Sequence, residues 1–131
     1  MKVHHIGYCV KDINNSRSEL EKMGFVLCEP TCKDDDRKIY IQFMRNGEIV
    51  IELVSPTGEA KSPVDGILEK MGNTVYHICY ETNNINAEID RLKLDKYIVV
   101  ENPKKAMAIN NSKVAFLFKK SVGLIELVEI V

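Results

Sequence analysis

The chain repeats itself, and this restricts its possible folds more than any other feature. Set HIGYCVKDIN (5–14) over HICYETNNIN (77–86). His5 then falls on His77, Ile6 on Ile78, Tyr8 on Tyr80, Ile13 on Ile85 and Asn14 on Asn86, each 72 positions on. Independently, IELV at 51–54 recurs at 125–128, which sets Glu52 on Glu126, 74 positions on. Two separate matches at nearly one offset describe a duplicated module of about seventy residues, and two copies suit a closed domain because a solenoid needs at least three. With 131 residues, there is length for one core and one domain. The expected layout is module one at 1–54, a linker with a short helix at 55–73, and module two at 74–131.

Each copy reads as β-α-β-β-β. In the first, a strand is expected over 3–10, where Ile6, Tyr8 and Val10 share one parity. A helix follows over 14–23, with Asp12 or Asn14 as cap and Gly24 as stop; Leu20 and Met23 form its sparse apolar stripe. Strands fit 25–29, 38–44 and 48–54, the last two joined at Asn46-Gly47, a strong hairpin signal. CKDDDRK (32–38) reads as a solvated loop. The second copy predicts a strand over 75–82 and a helix over 84–94, with Ile85, Ile89 and Leu92 at i, i+4 and i+7. Strands are then expected near 97–101, 113–118 and 123–130, with Pro103 closing the first of these before a loop through KKAMAINNS. The linker helix is expected near 63–71. The fold class is therefore α+β, two β-α-β-β-β modules forming an eight-stranded mixed sheet.

Composition excludes several roles. A net charge of −1 gives no electrostatic reason for a nucleic-acid or anionic-membrane partner. No apolar run approaches the roughly 20 residues of a membrane span, and MKVHHIGYCV turns polar too early for a signal peptide. A cytoplasmic protein with free thiols at Cys9, Cys28, Cys32 and Cys79 is expected.

What remains is a set of four side chains. Each module has one histidine on its first strand and one glutamate on its last. Side chains alternate faces along a strand, so His5 opposes Ile6, Tyr8 and Val10, while His77 opposes Ile78 and Tyr80. If those apolar neighbours pack under the helices, both histidines face the other side of the sheet. Glu126, alone, reads as a solvent-facing residue of an edge strand, because carboxylates are rarely buried. Its duplicate at Glu52 weakens that reading. Should the modules be related by a pseudo-twofold, two imidazoles and two carboxylates converge on a site for one divalent cation, with an N/O donor set that suits Zn, Ni, Co, Mn or Fe. Glu129, three residues past Glu126, has the opposite parity and is expected in solvent. His4 reads as a half-exposed structural histidine. Cys9 and Cys79 read as small wall residues, and Gln42 as a candidate for lining a cavity.

The motifs HHIG, IELVSP, YHICYE and VGLIELVE, in a duplicated β-α-β-β-β frame, resemble the vicinal-oxygen-chelate superfamily. That superfamily includes glyoxalase I, methylmalonyl-CoA epimerase, extradiol dioxygenases and metal-free bleomycin-resistance proteins. The resemblance covers essentially the whole chain, and residues 51–85 look most like the methylmalonyl-CoA epimerases. It implies a curved sheet around a metal site (the glyoxalase-like fold), with His5, Glu52, His77 and Glu126 as ligands. It implies one divalent metal per site, Zn, Ni, Co or Mn, and a small-molecule carbonyl substrate bound by a homodimer. The implied chemistry is proton abstraction next to a carbonyl, with Glu126 as base and Glu52 on the opposite side of the substrate. The third strand, KIYIQFM, departs from the pattern: Ile41 or Gln42 stands where some epimerases carry a further glutamate. A metal-free, ligand-sequestering protein is the alternative, and the intact His/Glu/His/Glu set argues against it.

Overall fold

The computed structural model describes residues 1–131 as nine strands and three α-helices. The chain divides into an inner unit, Ile6–Tyr76, and a terminal unit made of Met1–His5 with His77–Val131. Strand β1 is Val3–Cys9, helix α1 Ile13–Lys22, and the following strands are β2 (Val26–Leu27), β3 (Cys32–Asp34), β4 (Ile39–Asn46) and β5 (Ile49–Pro56). Helix α2, Asp65–Met71, leads to β6 (Thr74–Thr82), helix α3 (Ile85–Leu94), β7 (Ile98–Ala106), β8 (Ser112–Lys119) and β9 (Gly123–Glu129).

In the inner unit the order is β2-β4-β5-β1, with β3 also on β4. Strand β1 runs parallel to β5, and β4 runs antiparallel to it. The terminal unit has the order β6-β9-β8-β7, with β6 parallel to β9 and the other pairs antiparallel. The repeat extends to register. Ile6 lies opposite Ile51 in one unit and Ile78 opposite Ile125 in the other. The glutamate strand therefore has the same two kinds of neighbour in each: Glu52 is opposite Gly7 and Phe43, and Glu126 opposite Cys79 and Phe116.

Local chemistry accounts for the ends of the elements. Asp12 caps α1 by accepting from the Asn15 amide at 3.1 Å, and Asn84 caps α3 by accepting from Ala87 at 3.0 Å, each satisfying an amide that the first helical turn leaves unpaired. Gly24, at φ 102°, ends the turn after α1 in a conformation that disfavours any side chain. The β4–β5 hairpin sits where Asn46-Gly47 placed it, but Asn46 is the last paired residue and Gly47-Glu48 make the turn, with only Gly47 at positive φ.

Each unit packs a helix on its sheet. In the terminal unit Ile85, Ile89 and Leu92 of α3 meet Ala115, Leu117, Ile125 and Leu127, with Tyr80 packed alongside. In the inner unit Ile13, Met44, Ile51 and Leu53 form the cluster, with Ile6, Tyr8 and Leu20 against it. Met23, expected on this stripe, is exposed, and so is Ile78 on β6.

Three expectations need correction. Residues 32–38 are not simply a solvated loop. Cys32–Asp34 form a ninth strand, and Asp34 is buried, accepting from the Asp36 and Arg37 amides and pairing with the Arg37 guanidinium at 3.1 Å. That carboxylate folds the turn about itself, as short acidic side chains do. Pro103 does not close a strand, because β7 continues to Ala106. This edge strand pairs only with β8, and the pairing skips between Glu101 and Lys104. A proline with no N–H to donate is tolerated at such an irregular edge. Glu129 does face away from Glu126, but instead of lying free in solvent it accepts from the Ile85 amide at 2.9 Å, at the N-terminus of α3. A negative charge is favoured there by both the open amides and the helix dipole. No helix is long and apolar enough to cross a membrane.

Candidate metal centre

Strand alternation builds the site. On β1 the buried residues are His5, Gly7 and Cys9, and on β6 His77 and Cys79; Ile6, Tyr8 and Tyr80 turn to the helix side. His5 and His77 are 1% and 3% exposed and Glu126 is 4% exposed. All three belong to the terminal unit.

Their polar atoms meet. His5 Nε2 lies 3.0 Å and His77 Nε2 3.1 Å from Glu126 Oε1, and the two ring nitrogens are 3.2 Å apart. Three atoms with lone pairs so close together repel unless something positive lies among them, either protons or a cation. A proton can lie between the two ring nitrogens, which are within hydrogen-bond reach of each other, and the carboxylate oxygen is what it leaves unsatisfied. Glu126 Oε1 is buried and makes no hydrogen bond with acceptable geometry, although both rings are within reach. Metal–ligand bonds of about 2.1 Å give ligand–ligand edges of about 3.0 Å at right angles and about 3.4 Å at the tetrahedral angle, which brackets the observed triangle. The residues therefore fit a divalent cation, and N and O donors are those that Zn, Ni, Co and Mn accept.

Electrostatics agree. Burial alone would push the Glu126 carboxyl up, but the closeness of His5 and His77 overrides it and holds the group well below the usual carboxylate range. Glu126 is thus an ionised carboxylate in a dry place. The Phe116 ring stands edge-on to His77, centroids 5.3 Å apart, and walls that side.

Glu52, the fourth expected ligand, belongs to the inner unit, where it is 6% exposed on β5. Its register is that of Glu126, so the repeat buries a carboxylate twice at one structural address. Gln42 is buried too, but its amide is occupied. It donates to the Glu29 carbonyl, and its Oε1 accepts from Thr31 Oγ1 at 2.6 Å, which ties the segment before β3 to β4. His4 is half-buried, as its parity predicts. Its Nδ1 lies 2.8 Å from His5 Nδ1, the ring nitrogen turned away from the triangle, a contact that strand alternation alone does not predict.

A sheet in which duplicated modules each bury a glutamate, with two histidines and one of those glutamates in a triangle that would fit a metal, is that of the glyoxalase-like fold class. The family model described as the Glyoxalase/Bleomycin resistance protein/Dioxygenase superfamily matches residues 4–116. The chain belongs to that superfamily. It is similar to the ethylmalonyl-CoA/methylmalonyl-CoA epimerase of Cereibacter sphaeroides, at 29% identity covering 98% of both chains. Among solved structures it is similar to a hypothetical protein from Bacillus halodurans, with a TM-score of 0.86 at 25% identity over 99% of this chain and 94% of the other. The methylmalonyl-CoA epimerase of Mycobacterium tuberculosis shares the fold, with a TM-score of 0.83 at 24% identity over 99% and 88%.

Proposed function

We propose that the chain is a divalent-metal-dependent isomerase or lyase of the epimerase and glyoxalase type, acting on the carbon next to a carbonyl. The observation that carries this is the buried triangle of His5 Nε2, His77 Nε2 and Glu126 Oε1, with edges of 3.0–3.2 Å. Glu52 completes the donor set, a reading supported by its burial and by its register match with Glu126. The likeness to an ethylmalonyl-CoA/methylmalonyl-CoA epimerase favours a CoA thioester as substrate and epimerisation over the glyoxalase reaction.

When bound, the metal supplies Lewis acidity, which stabilises negative charge developing on the substrate's carbonyl oxygen. The rest falls to the protein. His5 and His77 are neutral donors held rigidly by strands β1 and β6. Glu126 takes the proton from the carbon next to the carbonyl, and Glu52, protonated at the outset, gives its proton to the opposite face, inverting the centre; proton exchange with solvent then restores both groups. Two carboxylates from duplicated modules suit this task, because removal and return occur on opposite sides. The buried setting excludes water that would otherwise solvate the carboxylates and weaken them as bases. The working assembly is a cytoplasmic homodimer in this reading.

The test is metal analysis of purified protein, then incubation of the zinc, nickel, cobalt and manganese forms with methylmalonyl-CoA in deuterium oxide. About one metal per chain and deuterium at the α-carbon are expected. Protein that takes up none of the four metals sinks the reading.

A further inference from the structure

We propose that His4 is a positioning residue that holds His5 in the neutral form whose Nε2 is bare for a metal. This rests on the metal reading above. A neutral imidazole carries one proton, so the nitrogen that ligates must be the bare one and the other must be N–H. If His5 presents Nε2 to the metal, its proton sits on Nδ1. That nitrogen is 2.8 Å from His4 Nδ1, with the two rings at 77° and their centroids 5.1 Å apart. Such a separation holds one proton between the nitrogens. With the proton on His5, His4 Nδ1 is the acceptor and His4 carries its own proton on Nε2. One hydrogen bond therefore sets both tautomers and the orientation of the His5 ring.

The arrangement is unusual for a strand. Adjacent side chains normally diverge to opposite faces, yet here both rings turn so that their inner nitrogens meet. His5 is 1% exposed, so water is a poor substitute for His4. Loss of this acceptor removes a hydrogen bond that favours the proton on Nδ1, and a proton on Nε2 blocks ligation. Partners that orient a metal-binding histidine are worth 10–100-fold in metal affinity.

The buried thiol of Cys79 makes a rival arrangement chemically possible, since His4, His5 and Cys79 place ligand atoms within 4.8 Å of one another. There His4 would itself be a ligand of a second metal. Stoichiometry separates the two, because a positioning His4 leaves one metal per chain.

The experiment measures zinc affinity by chelator competition and the visible spectrum of the cobalt form, for wild type, His4→Leu and His4→Asn. The expectation is a 10–100-fold loss for His4→Leu. The asparagine carbonyl stands near the place of Nδ1 and accepts the same N–H, so His4→Asn recovers most of the affinity and the wild-type cobalt spectrum. Urea midpoints of the metal-stripped proteins report on folding separately, and matching values assign the loss to the site. A His4→Leu protein that binds zinc as tightly as wild type overturns this inference and leaves the metal reading intact. Two metals per wild-type chain also overturn it, in favour of His4 as ligand. A wild type with no metal affinity removes both.

Discussion

The two units repeat one plan but hold their helices differently. Helix α3 buries Ile85, Ile89 and Leu92 against its sheet, whereas α1 buries only Ile13, with Leu20 half covered and Met23 exposed. Helix α3 also has two side chains at its N-terminus, Asn84 and Glu129, where α1 has Asp12. The glutamates show the opposite pattern, since Glu52 and Glu126 are both buried at the same register. Packing has drifted apart between the copies while the carboxylate address has not. A helix face can lose an apolar contact and retain its fold from what remains. A buried carboxylate has no such tolerance, because unless it is paired it opposes folding by several kcal/mol. Its burial in both copies is what the proposed metal site accounts for.

The sharpest way to break that equivalence is to neutralise each glutamate in turn. Glu126→Gln removes the proposed base and the charge of a proposed ligand while retaining shape. A fall in α-proton exchange of about 10²–10⁴-fold is expected, the range for losing a general base, measured by deuterium uptake with the metal saturated. Glu52→Gln keeps a carbonyl oxygen able to ligate, so bound metal should survive. Exchange in this variant should persist from one substrate enantiomer while interconversion of the two falls. Equal, small losses in both variants would contradict the assigned roles.

Packing gives the next contrast. Leu92→Ala empties a buried place under α3, for which about 2–5 kcal/mol of destabilisation is typical. Leu20→Ala, on the half-covered face of α1, should cost about 1 kcal/mol, since less apolar area leaves water. Urea denaturation of the metal-free proteins measures both, and equal values would mean that the two helices are held alike. This asymmetry was legible in advance, as Ile85, Ile89 and Leu92 keep a helical period that Leu20 and Met23 do not. The repeat, the β-α-β-β-β plan and burial of the histidine parity could be read for the same reason, being periodic and local. What escaped the sequence was longer in range. Strand β3 depends on Asp34 gathering its own turn, and the continuation of β7 past Pro103 depends on its being an edge. His4 is half-buried as parity predicts, but its contact with His5 is not predicted, because a parity rule assigns faces to side chains and not the turning of rings.

The smallest effect tests whether the second cap on α3 matters. Glu129 accepts from the Ile85 amide at 2.9 Å and Asn84 from Ala87 at 3.0 Å, so two of the open amides in the first turn are satisfied by different side chains. Removing a helix cap typically costs about 1 kcal/mol, and a charge at a helix N-terminus about 0.3–1 kcal/mol. Glu129→Gln keeps an acceptor and loses the charge, so a few tenths of a kcal/mol is expected, diminishing in added salt. Asp12→Ala, which takes the side-chain cap from α1, should cost about 1 kcal/mol. Asn84→Ala should cost less than that, because Glu129 still holds one end of α3. Urea midpoints at low and high salt measure all three. If Asn84→Ala proves as costly as Asp12→Ala, the contact from β9 adds nothing, and the firmer hold on α3 is owed to its buried face alone.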